Sequence, residues 1–247
     1  MEPKLIADGV TKSYDGVQIL DQIHIELYEK EIVCLLGVSG AGKTTLFNVI
    51  SGLEKPDEGR VLLNGAEITG HAGHIAYMLQ KDLLLPYRTV LDNVALPLLL
   101  RGMGKQEAHT RAGGFFEEFG LEGTQNKWPS QLSGGMRQRA ALLRTYLSSE
   151  GVALLDEPFS ALDTITKGTI HSWYLDVMEK INLSTLFITH DIDEAILLSD
   201  RICILSGKPG RITAEIAVTQ LRPRGRDFTL SDEFLSYKRK IIELLQI

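Results

Sequence analysis

The chain has 247 residues and carries 26 lysines and arginines against 32 aspartates and glutamates, which gives a formal charge of −6. Its hydrophobic fraction of 44% is enough for a sizeable core, so the composition excludes a disordered tail and a disulfide-stapled miniprotein. The acidic balance argues against a protein that binds nucleic acid over its whole surface. The longest runs without a charged residue, Ile32–Gly42 and Gly70–Gln80, are too short for a membrane-spanning helix.

The first eighty residues are rich in predicted strands. Apolar and polar residues alternate over Lys4–Val10, Val17–Leu27 and Arg60–Leu63. Ile32–Leu36 is continuously apolar instead, which is typical of a strand buried on both faces. A helix-compatible run, Thr45–Ile50, follows it.

Residues 81–149 change character, and we predict a helical insertion there. Apolar residues recur at helical spacing from Val90 to Leu121. Pro97 is expected to kink or end a helix, because proline removes a backbone N–H and its ring crowds the preceding turn. Ser133 has the chemistry of an N-cap residue for a helix over Met136–Leu147.

From residue 150 onward, strands and helices alternate. Val152–Leu155 and Thr185–Thr189 are continuous apolar strands, and Lys167–Lys180 is predicted to be the helix between them. This βαβ rhythm predicts an α/β fold with a parallel sheet. Six basic side chains between residues 201 and 226 could face lipid headgroups or a membrane partner, or form an ordinary solvated surface: Arg201, Lys208, Arg211, Arg222, Arg224 and Arg226.

A glycine-rich loop indicates a phosphate site. Gly37–Thr44 fits the pattern G-x-x-x-x-G-K-[ST] at every fixed position and lies between a buried strand and a helix. Backbone N–H groups and the helix N-terminus attract phosphate oxygens. Lys43 can reach the β- and γ-phosphates, and the Thr44 hydroxyl can bind Mg²⁺. The loop predicts a nucleoside triphosphate site but leaves kinase, GTPase and ATP-driven motor open.

Two adjacent acids favour hydrolysis. The strand Val152–Leu155 ends in Asp156 and Glu157, which should face the same crevice as the phosphate loop. Asp156 is placed to hold Mg²⁺, and Glu157 to polarise an attacking water molecule. A GTPase is disfavoured, because the only Asn-Lys pair, at residues 126–127, is followed by Trp128 and Pro129 and does not complete N-K-x-D.

A second anion site is predicted 23 residues before Asp156. Ser133, Gly134 and Gly135 open a helix and leave bare backbone N–H groups at its positive end. One chain has little use for two sites on one triphosphate. The sequence therefore suggests a homodimer in which each nucleotide lies between two copies.

Taken together, these motifs resemble the ATP-binding subunits of ABC transporters nearly end to end. Leu132–Met136 looks like the signature motif, although Met136 replaces the commoner glutamine, and Gly37–Thr44 and Val152–Glu157 look like Walker A and B. The resemblance implies an α/β P-loop NTPase (RecA-like) core with a parallel sheet and an N-terminal antiparallel β subdomain. It assigns residues 1–80 and 150–247 to the core and 81–149 to an inserted helical subdomain.

The resemblance also implies roles for single residues. Tyr14 matches the aromatic residue that stacks on adenine, and Gln80 the glutamine that touches Mg²⁺ and water and senses the membrane partner. Asp163 lies in the D-loop, and His190 matches the switch histidine at the γ-phosphate. The implied ATP-binding set is Tyr14, Gly37, Ser39, Gly40, Ala41, Gly42, Lys43, Thr44, Thr45, Ser133, Gly134, Gly135 and Asp163. The implied catalytic set is Glu157, His190 and Gln80, and the implied Mg²⁺ ligands are Thr44, Gln80 and Asp156.

Further segments are similar to the importer group for nitrate, sulfonate, taurine and thiamine-pyrimidine precursors. They are Leu83–Thr89, His190–Ala195 and Lys208–Ile212, together with the run that follows Leu132. The group implies ATP and Mg²⁺ as cofactors, permease subunits and a solute-binding protein as partners, and a peripheral place on the cytoplasmic face of the membrane. The alternatives are a soluble ABC ATPase that acts on nucleic acid or ribosomes, and a regulatory module without catalysis.

Overall fold

The computed structural model describes residues 2–160 and 164–245. Strands β1 to β10 are Leu5–Tyr14, Val17–Leu27, Ile32–Leu36, Glu58–Leu63, Ala66–Glu67, Ala76–Met78, Val152–Asp156, Ser184–Thr189, Arg201–Ser206 and Arg211–Ala217. Helices α1 to α8 are Lys43–Ile50, Val90–Leu100, Lys105–Gly113, Gly134–Ser148, Thr164–Ile181, Ile192–Leu198, Arg226–Thr229 and Asp232–Leu245, and Pro129–Gln131 form a 3-10 turn.

The described strands form a central sheet in the order β10-β9-β3-β8-β7-β6, in which only the β9–β10 pair is antiparallel. Strand β3 lies between β8 and β9, and all five of its residues are buried, as its continuous apolar run predicts. Leu36 is paired with Thr189, and Asp156 with Ile188. Strands β3, β7 and β8 therefore end at one edge of the sheet, and the phosphate loop, Glu157 and His190 follow them there. The predicted α/β class with a parallel sheet is confirmed.

The N-terminal strands form a separate antiparallel sheet in the order β2-β1-β4-β5. Its apolar side and one face of the central sheet enclose α1 in a shared core that includes Leu20, Phe47 and Leu186. The pairing of β1 with β2 shifts register between Ala7 and Val10. This sheet supports the phosphate loop from one side, since β2 packs against α1.

In the helical insertion, one of the two alternatives expected at Pro97 was wrong, and the second helix is shorter than its apolar spacing suggests. Helix α2 continues to Leu100 and does not end at Pro97, because Val94, Ala95 and Leu98 are buried in the core on both sides of the proline. Helix α3 ends at Gly113, whereas apolar residues recur at helical spacing as far as Leu121. After the two glycines the chain forms turns that still bury Phe116 and Phe119 at near-helical spacing, so the apolar pattern persists without a helix.

Most of the basic side chains between residues 201 and 226 are paired within the chain. They therefore form neither a free basic patch nor an ordinary solvated surface. Arg201 forms ion pairs with Glu31 and Glu215, Arg211 with Asp21, and Arg222 with Asp200. The guanidinium of Arg224 is buried and donates to the carbonyl groups of residues 196, 199 and 218. Within 2–160 and 164–245, no helix combines the length and apolar content needed to cross a membrane.

Candidate nucleotide site

A cleft of about 310 Å³ opens at the carboxyl edge of the central sheet. Nine of the predicted site residues line it: Ser39, Gly40, Gly42, Lys43, Thr44, Thr45, Gln80, Asp156 and Glu157. Ile19 and Ile188 add apolar wall, and neither could be singled out from the sequence, because each looks like an ordinary strand residue. Residues more than 100 positions apart therefore meet in one polar cavity, as the common edge of β3, β6 and β7 requires.

Two glycines give the phosphate loop its shape. Gly42 has φ +98°, and a Cβ atom there would lie 2.8 Å from Cδ2 of Leu20. Gly37 is buried, and a Cβ atom there would lie 2.3 Å from the carbonyl oxygen of Leu205 on β9. The positive φ at Gly42 and the close approach of the β9 backbone at Gly37 therefore disfavour a side chain at either position. Ala41 is buried behind the loop, so it supports the cleft without lining it.

Lys43 occupies the start of α1 and folds back over the loop. Its Nζ donates to the carbonyl oxygens of Gly37 at 2.7 Å and Val38 at 3.0 Å. Burial lowers the pKa of Lys43, while the nearby charges of Glu157 and Asp156 act in the opposite direction. The first turn of α1 contains no acidic residue, so its exposed N–H groups and the ammonium group offer positive charge to an anion.

Asp156 is a buried carboxylate at the end of β7. Burial raises its pKa, and the adjacent charge of Glu157 raises it further. The hydroxyl groups of Tyr77 and Thr44 and the charge of Lys43 oppose this shift. Tyr77, on β6, donates from its hydroxyl to Asp156 Oδ2 at 3.4 Å, a contact that sequence reasoning missed. The position of Tyr77, three residues before the predicted Mg²⁺ ligand Gln80, is the sequence signal that could have revealed this contact.

Glu157 is held by two of the predicted catalytic partners. Gln80 donates from Nε2 to Glu157 Oε2 at 2.8 Å, and Nδ1 of His190 lies 3.0 Å from Glu157 Oε1. The backbone of Glu157 has φ +46°, a region that non-glycine residues rarely adopt and that is common at functional sites. A hydrogen bond from its N–H to the carbonyl of Ile188 at 3.0 Å fixes this conformation. The three predicted catalytic side chains therefore form one connected group.

The residues present fit a Mg²⁺–triphosphate. Thr44, Gln80 and Asp156 supply a hydroxyl, an amide oxygen and a carboxylate, which are the oxygen donors that Mg²⁺ prefers. The raised pKa of Asp156 is the expected mark of a buried carboxylate that lacks enough positive charge nearby. When bound, Mg²⁺ neutralises charge on the β- and γ-phosphate oxygens. The loop, Lys43 and the N-terminus of α1 would hold the phosphates.

Tyr14 lies beside the cleft, not in it. It ends β1, is 39% exposed, and donates from its hydroxyl to Glu54. Desolvation and the neighbouring Glu54 raise its pKa to about 12, so the hydroxyl stays neutral at physiological pH. The side-chain hydroxyl of Thr45, which does line the cleft, contacts it and opposes this shift. The ring lies at the rim with Lys12 Nζ 5.2 Å from its centroid, and its role toward adenine stays a prediction.

The signature turn lies apart from the cleft of its own chain. Ser133 is the N-cap of α4, as predicted, and its Oγ accepts from the N–H of Met136 at 3.3 Å. Ser133 is exposed and Gly134 and Gly135 are partly exposed, yet none of the three lines the cavity that contains Lys43. Asp163, the predicted D-loop acid, lies outside the described residues. The contribution of these four residues to a nucleotide stays a prediction.

Asn93, which the sequence motifs do not include, organises the loop after Gln80. Asn93 is fully buried in α2; its Oδ1 accepts from the N–H of Leu85 at 2.6 Å. Its Nδ2 donates to the carbonyl oxygens of Leu85, Arg88 and Thr89 at 2.9 to 3.2 Å. One side chain thus pairs four backbone groups of the loop. An asparagine within the apolar stretch of α2 was the signal that could have revealed it.

Comparison with known proteins agrees with this geometry. A family model described as ABC transporter matches residues 20–160. The formylaminopyrimidine import ATP-binding protein ThiZ of Halalkalibacterium halodurans is 46% identical over 81% of this chain and 78% of its own length. The taurine import ATP-binding protein TauB of Sinorhizobium fredii is 42% identical over 80% of this chain and 74% of its own. A solved dimeric cassette in a post-hydrolysis state, bound to ADP and Pi, is 30% identical and superposes with a TM-score of 0.74 over 88% of this chain and 100% of that one.

The phosphate loop, the paired acids and the sheet order define a P-loop ATPase. The chain belongs to the ABC transporter family, as one of its ATP-binding proteins. It is an ATPase that uses ATP with Mg²⁺, and the predicted family and cofactors are confirmed.

Proposed function

We propose that this chain is the subunit that hydrolyses ATP to drive a membrane importer of a small solute, of the nitrate, sulfonate, taurine or pyrimidine-precursor type. One observation carries the hydrolytic part: the Glu157 carboxylate is held by Gln80 and His190 at the cleft that contains Lys43. The names of the formylaminopyrimidine and taurine relatives support the importer part.

The proposed chemistry divides the work among these side chains. Glu157 orients the attacking water and accepts its proton. His190 and Gln80 each hold one Glu157 oxygen, so the carboxylate is aimed before the reaction begins. Lys43 and the amides of the phosphate loop bind the charge that develops on the β- and γ-phosphate oxygens. Tyr14 supplies a ring at the rim on which adenine can stack.

We further propose that two copies assemble around two nucleotides. Ser133, Gly134 and Gly135 are accessible at the N-terminus of α4 and do not line their own cleft, so they are available to the cleft of a second copy. We also propose that Asp163 contributes to ATP binding. A bound triphosphate that contacts both copies stabilises the closed dimer, because it binds that state with additional contacts.

The permease contact is assigned to the surface just after Gln80. Leu83 is 52% exposed and Tyr87 is 71% exposed, whereas Leu84 between them is buried. Apolar side chains exposed together mark partner surfaces. Through Gln80 this surface connects directly to Glu157, and residues 81–149 would pass the motion between permease and cleft. We propose that the protein lies peripherally on the cytoplasmic face of the membrane and works with a solute-binding protein as a further component.

The experiment that tests this function is solute uptake by cells that lack the chain and carry it back on a plasmid. Restored uptake of taurine, an alkanesulfonate, nitrate or a formylaminopyrimidine supports the importer. A doubly substituted Leu83→Ser, Tyr87→Ser variant should abolish uptake and leave ATPase activity of the isolated subunit intact. Leu221→Ser, at a position 84% exposed elsewhere, serves as the matched control and should transport normally.

Stimulation of ATP hydrolysis by DNA or RNA, with no uptake defect, would instead favour the alternative of a soluble ATPase acting on nucleic acid. The structure offers that alternative little support, because four of the six late basic side chains are already bonded within the chain. We therefore propose that nucleic acid is not a partner.

A further inference from the structure

A second carboxylate, Glu194, is buried close behind the catalytic group. It lies on α6, is 3% exposed, and its Oε2 accepts a hydrogen bond of 2.6 Å from Thr189 Oγ1. Its Oε1 lies 3.6 Å from Nε2 of His171 on α5. Burial of a carboxylate costs folding free energy unless the group is well paired, so we expect Glu194 to serve a purpose that offsets this cost.

The Thr189 hydroxyl connects Glu194 to the backbone on both sides of His190. Thr189 directly precedes His190 at the end of β8, and its Oγ1 also accepts from the N–H of Asp191 at 3.1 Å. The carboxylate of Asp191 in turn accepts from the N–H groups of Asp193 and Glu194 at the start of α6. The backbone around His190 is therefore fixed from the residue before it and the residue after it.

His171 joins this group to the segment that follows Glu157. Its ring packs edge-to-face on Phe159, with centroids 4.9 Å apart and an interplanar angle of 76°. Phe159 lies two residues after Glu157 and is 4% exposed. A closed circuit of contacts and chain connections therefore joins Glu157 and His190. Phe159 follows Glu157 by two residues and packs on His171, whose Nε2 lies 3.6 Å from Glu194 Oε1. Glu194 accepts from Thr189, which directly precedes His190, and His190 Nδ1 lies 3.0 Å from Glu157 Oε1.

We infer that Thr189 and Glu194 are positioning residues that hold the His190 imidazole against Glu157. His171 and Phe159 connect Glu194 to the segment that follows Glu157. This inference rests on the proposed roles of Glu157 and His190. Neither Thr189 nor Glu194 lines the nucleotide cleft, so we assign their effect on the reaction to the orientation of His190.

The orientation of a catalytic side chain contributes measurably to the rate of hydrolysis. A positioned acid–base side chain contributes roughly 10²–10⁴-fold, and a small misplacement forfeits a share of it. Removal of the Thr189 hydroxyl should therefore lower kcat about tenfold. Because Thr189 does not contact the nucleotide cleft, KM for ATP should change less than about twofold.

The test compares Thr189→Val with Thr189→Ser, since the first removes the hydroxyl and the second retains it. Glu194→Gln removes the charge at nearly constant shape and provides an independent variant should Thr189→Val fail to fold. Thr124→Val is the matched control, because Thr124 is also buried and its hydroxyl also donates, at 2.6 Å to the carbonyl of Leu121. Steady-state ATPase kinetics are measured alongside NMR of the His190 imidazole, assigned by comparison with His190→Ala.

We expect lower kcat at nearly constant KM and a displaced His190 resonance for Thr189→Val and Glu194→Gln, while Thr189→Ser and Thr124→Val behave like the parent protein. Parent-like kcat in both test variants, or a raised KM with unchanged kcat, would overturn the inference. Glu157→Gln and His190→Ala are assayed in parallel. If these two also retain full activity, the proposed catalytic roles fail; if they lose activity while the test variants do not, only the positioning role fails.

Discussion

Gln80 and Glu157 are 77 positions apart in the chain and are joined by a hydrogen bond of 2.8 Å. Gln80 follows β6 and precedes the exposed Leu83, so the bond links a surface feature directly to the carboxylate that we assign to water activation. Any displacement of this loop changes the surroundings of Glu157. A partner that moves the loop therefore has direct access to the hydrolytic step.

Glu157→Gln should keep ATP binding and lose turnover by about a hundredfold or more, because the amide accepts a proton poorly from water. The substitution leaves side-chain shape nearly unchanged, so the nucleotide cleft should remain intact. With ATP and Mg²⁺, gel filtration should show a trapped dimer. A variant that stays monomeric at saturating ATP would count against the two-copy assembly.

Lys43→Ala should weaken nucleotide binding, because it removes the ammonium group that folds over the phosphate loop. Loss of a hydrogen bond to a charged group costs about 1.5–3 kcal/mol, which corresponds to roughly tenfold or more in Kd. Titration with a fluorescent ATP analogue measures this directly. Lys30→Ala, an exposed lysine that does not line the cleft, is the control, and equal affinities of the two variants would refute the assignment.

Asp156→Asn should stabilise the nucleotide-free protein and abolish activity that depends on Mg²⁺. Burial raises the pKa of Asp156 in the folded state, so the folded protein holds that proton more tightly than the unfolded chain does. Its stabilising effect is present at acidic pH and is lost as pH rises through the raised pKa. At neutral pH the variant should melt about 2–4 °C above the parent, with a smaller difference in acid.

The control for this measurement is Asp200→Asn. The Asp200 carboxylate accepts from Nε and Nη2 of Arg222 and from the N–H of Ile32, each at 2.9 Å. Its neutralisation should lower the melting temperature, in contrast to Asp156→Asn. Differential scanning fluorimetry without nucleotide measures both. A melting temperature of Asp156→Asn that is unchanged or lowered at neutral pH would show that Asp156 is not destabilising.

Asn93→Leu should destabilise the fold by about 2–4 kcal/mol, because the N–H of Leu85 and the carbonyl of Arg88, in the loop after Gln80, lose their Asn93 partners. Urea unfolding measures the change. Gln138→Leu, in helix α4 of the same helical insertion, is the contrasting variant. Gln138 is buried, and its Oε1 has no hydrogen-bond partner among the described residues. Its replacement should be neutral or stabilising, and a larger loss there than at Asn93 would contradict this account.

The catalytic edge of the fold was predictable because its signals are local. A continuous apolar strand, a glycine pattern and a pair of acids each identify their own segment, and parallel strands bring their carboxyl ends together. Ser133 could be identified as an N-cap for the same reason. The positive φ of Glu157 and the circuit through Glu194 depend on distant neighbours, so no short pattern reveals them.

Two local sequence signals were misleading for the same physical reason. Pro97 carries a strong local signal to end a helix, yet burial of its neighbours in the core keeps α2 intact to Leu100. The basic side chains after residue 200 look like a surface patch when they are counted along the sequence. Arg224 shows why counting fails, since its guanidinium is buried against carbonyl groups that lie up to 28 positions away. Tertiary partners decide both cases.

The separation of the Ser133 turn from its own cleft has a kinetic consequence. If a working site requires this turn from another molecule, the isolated subunit cannot hydrolyse ATP at a rate proportional to its own concentration. Turnover in dilute solution should rise with the square of the amount of protein and become linear only when nearly every molecule is paired. Specific activity measured on serial dilution therefore reports how strongly two copies associate.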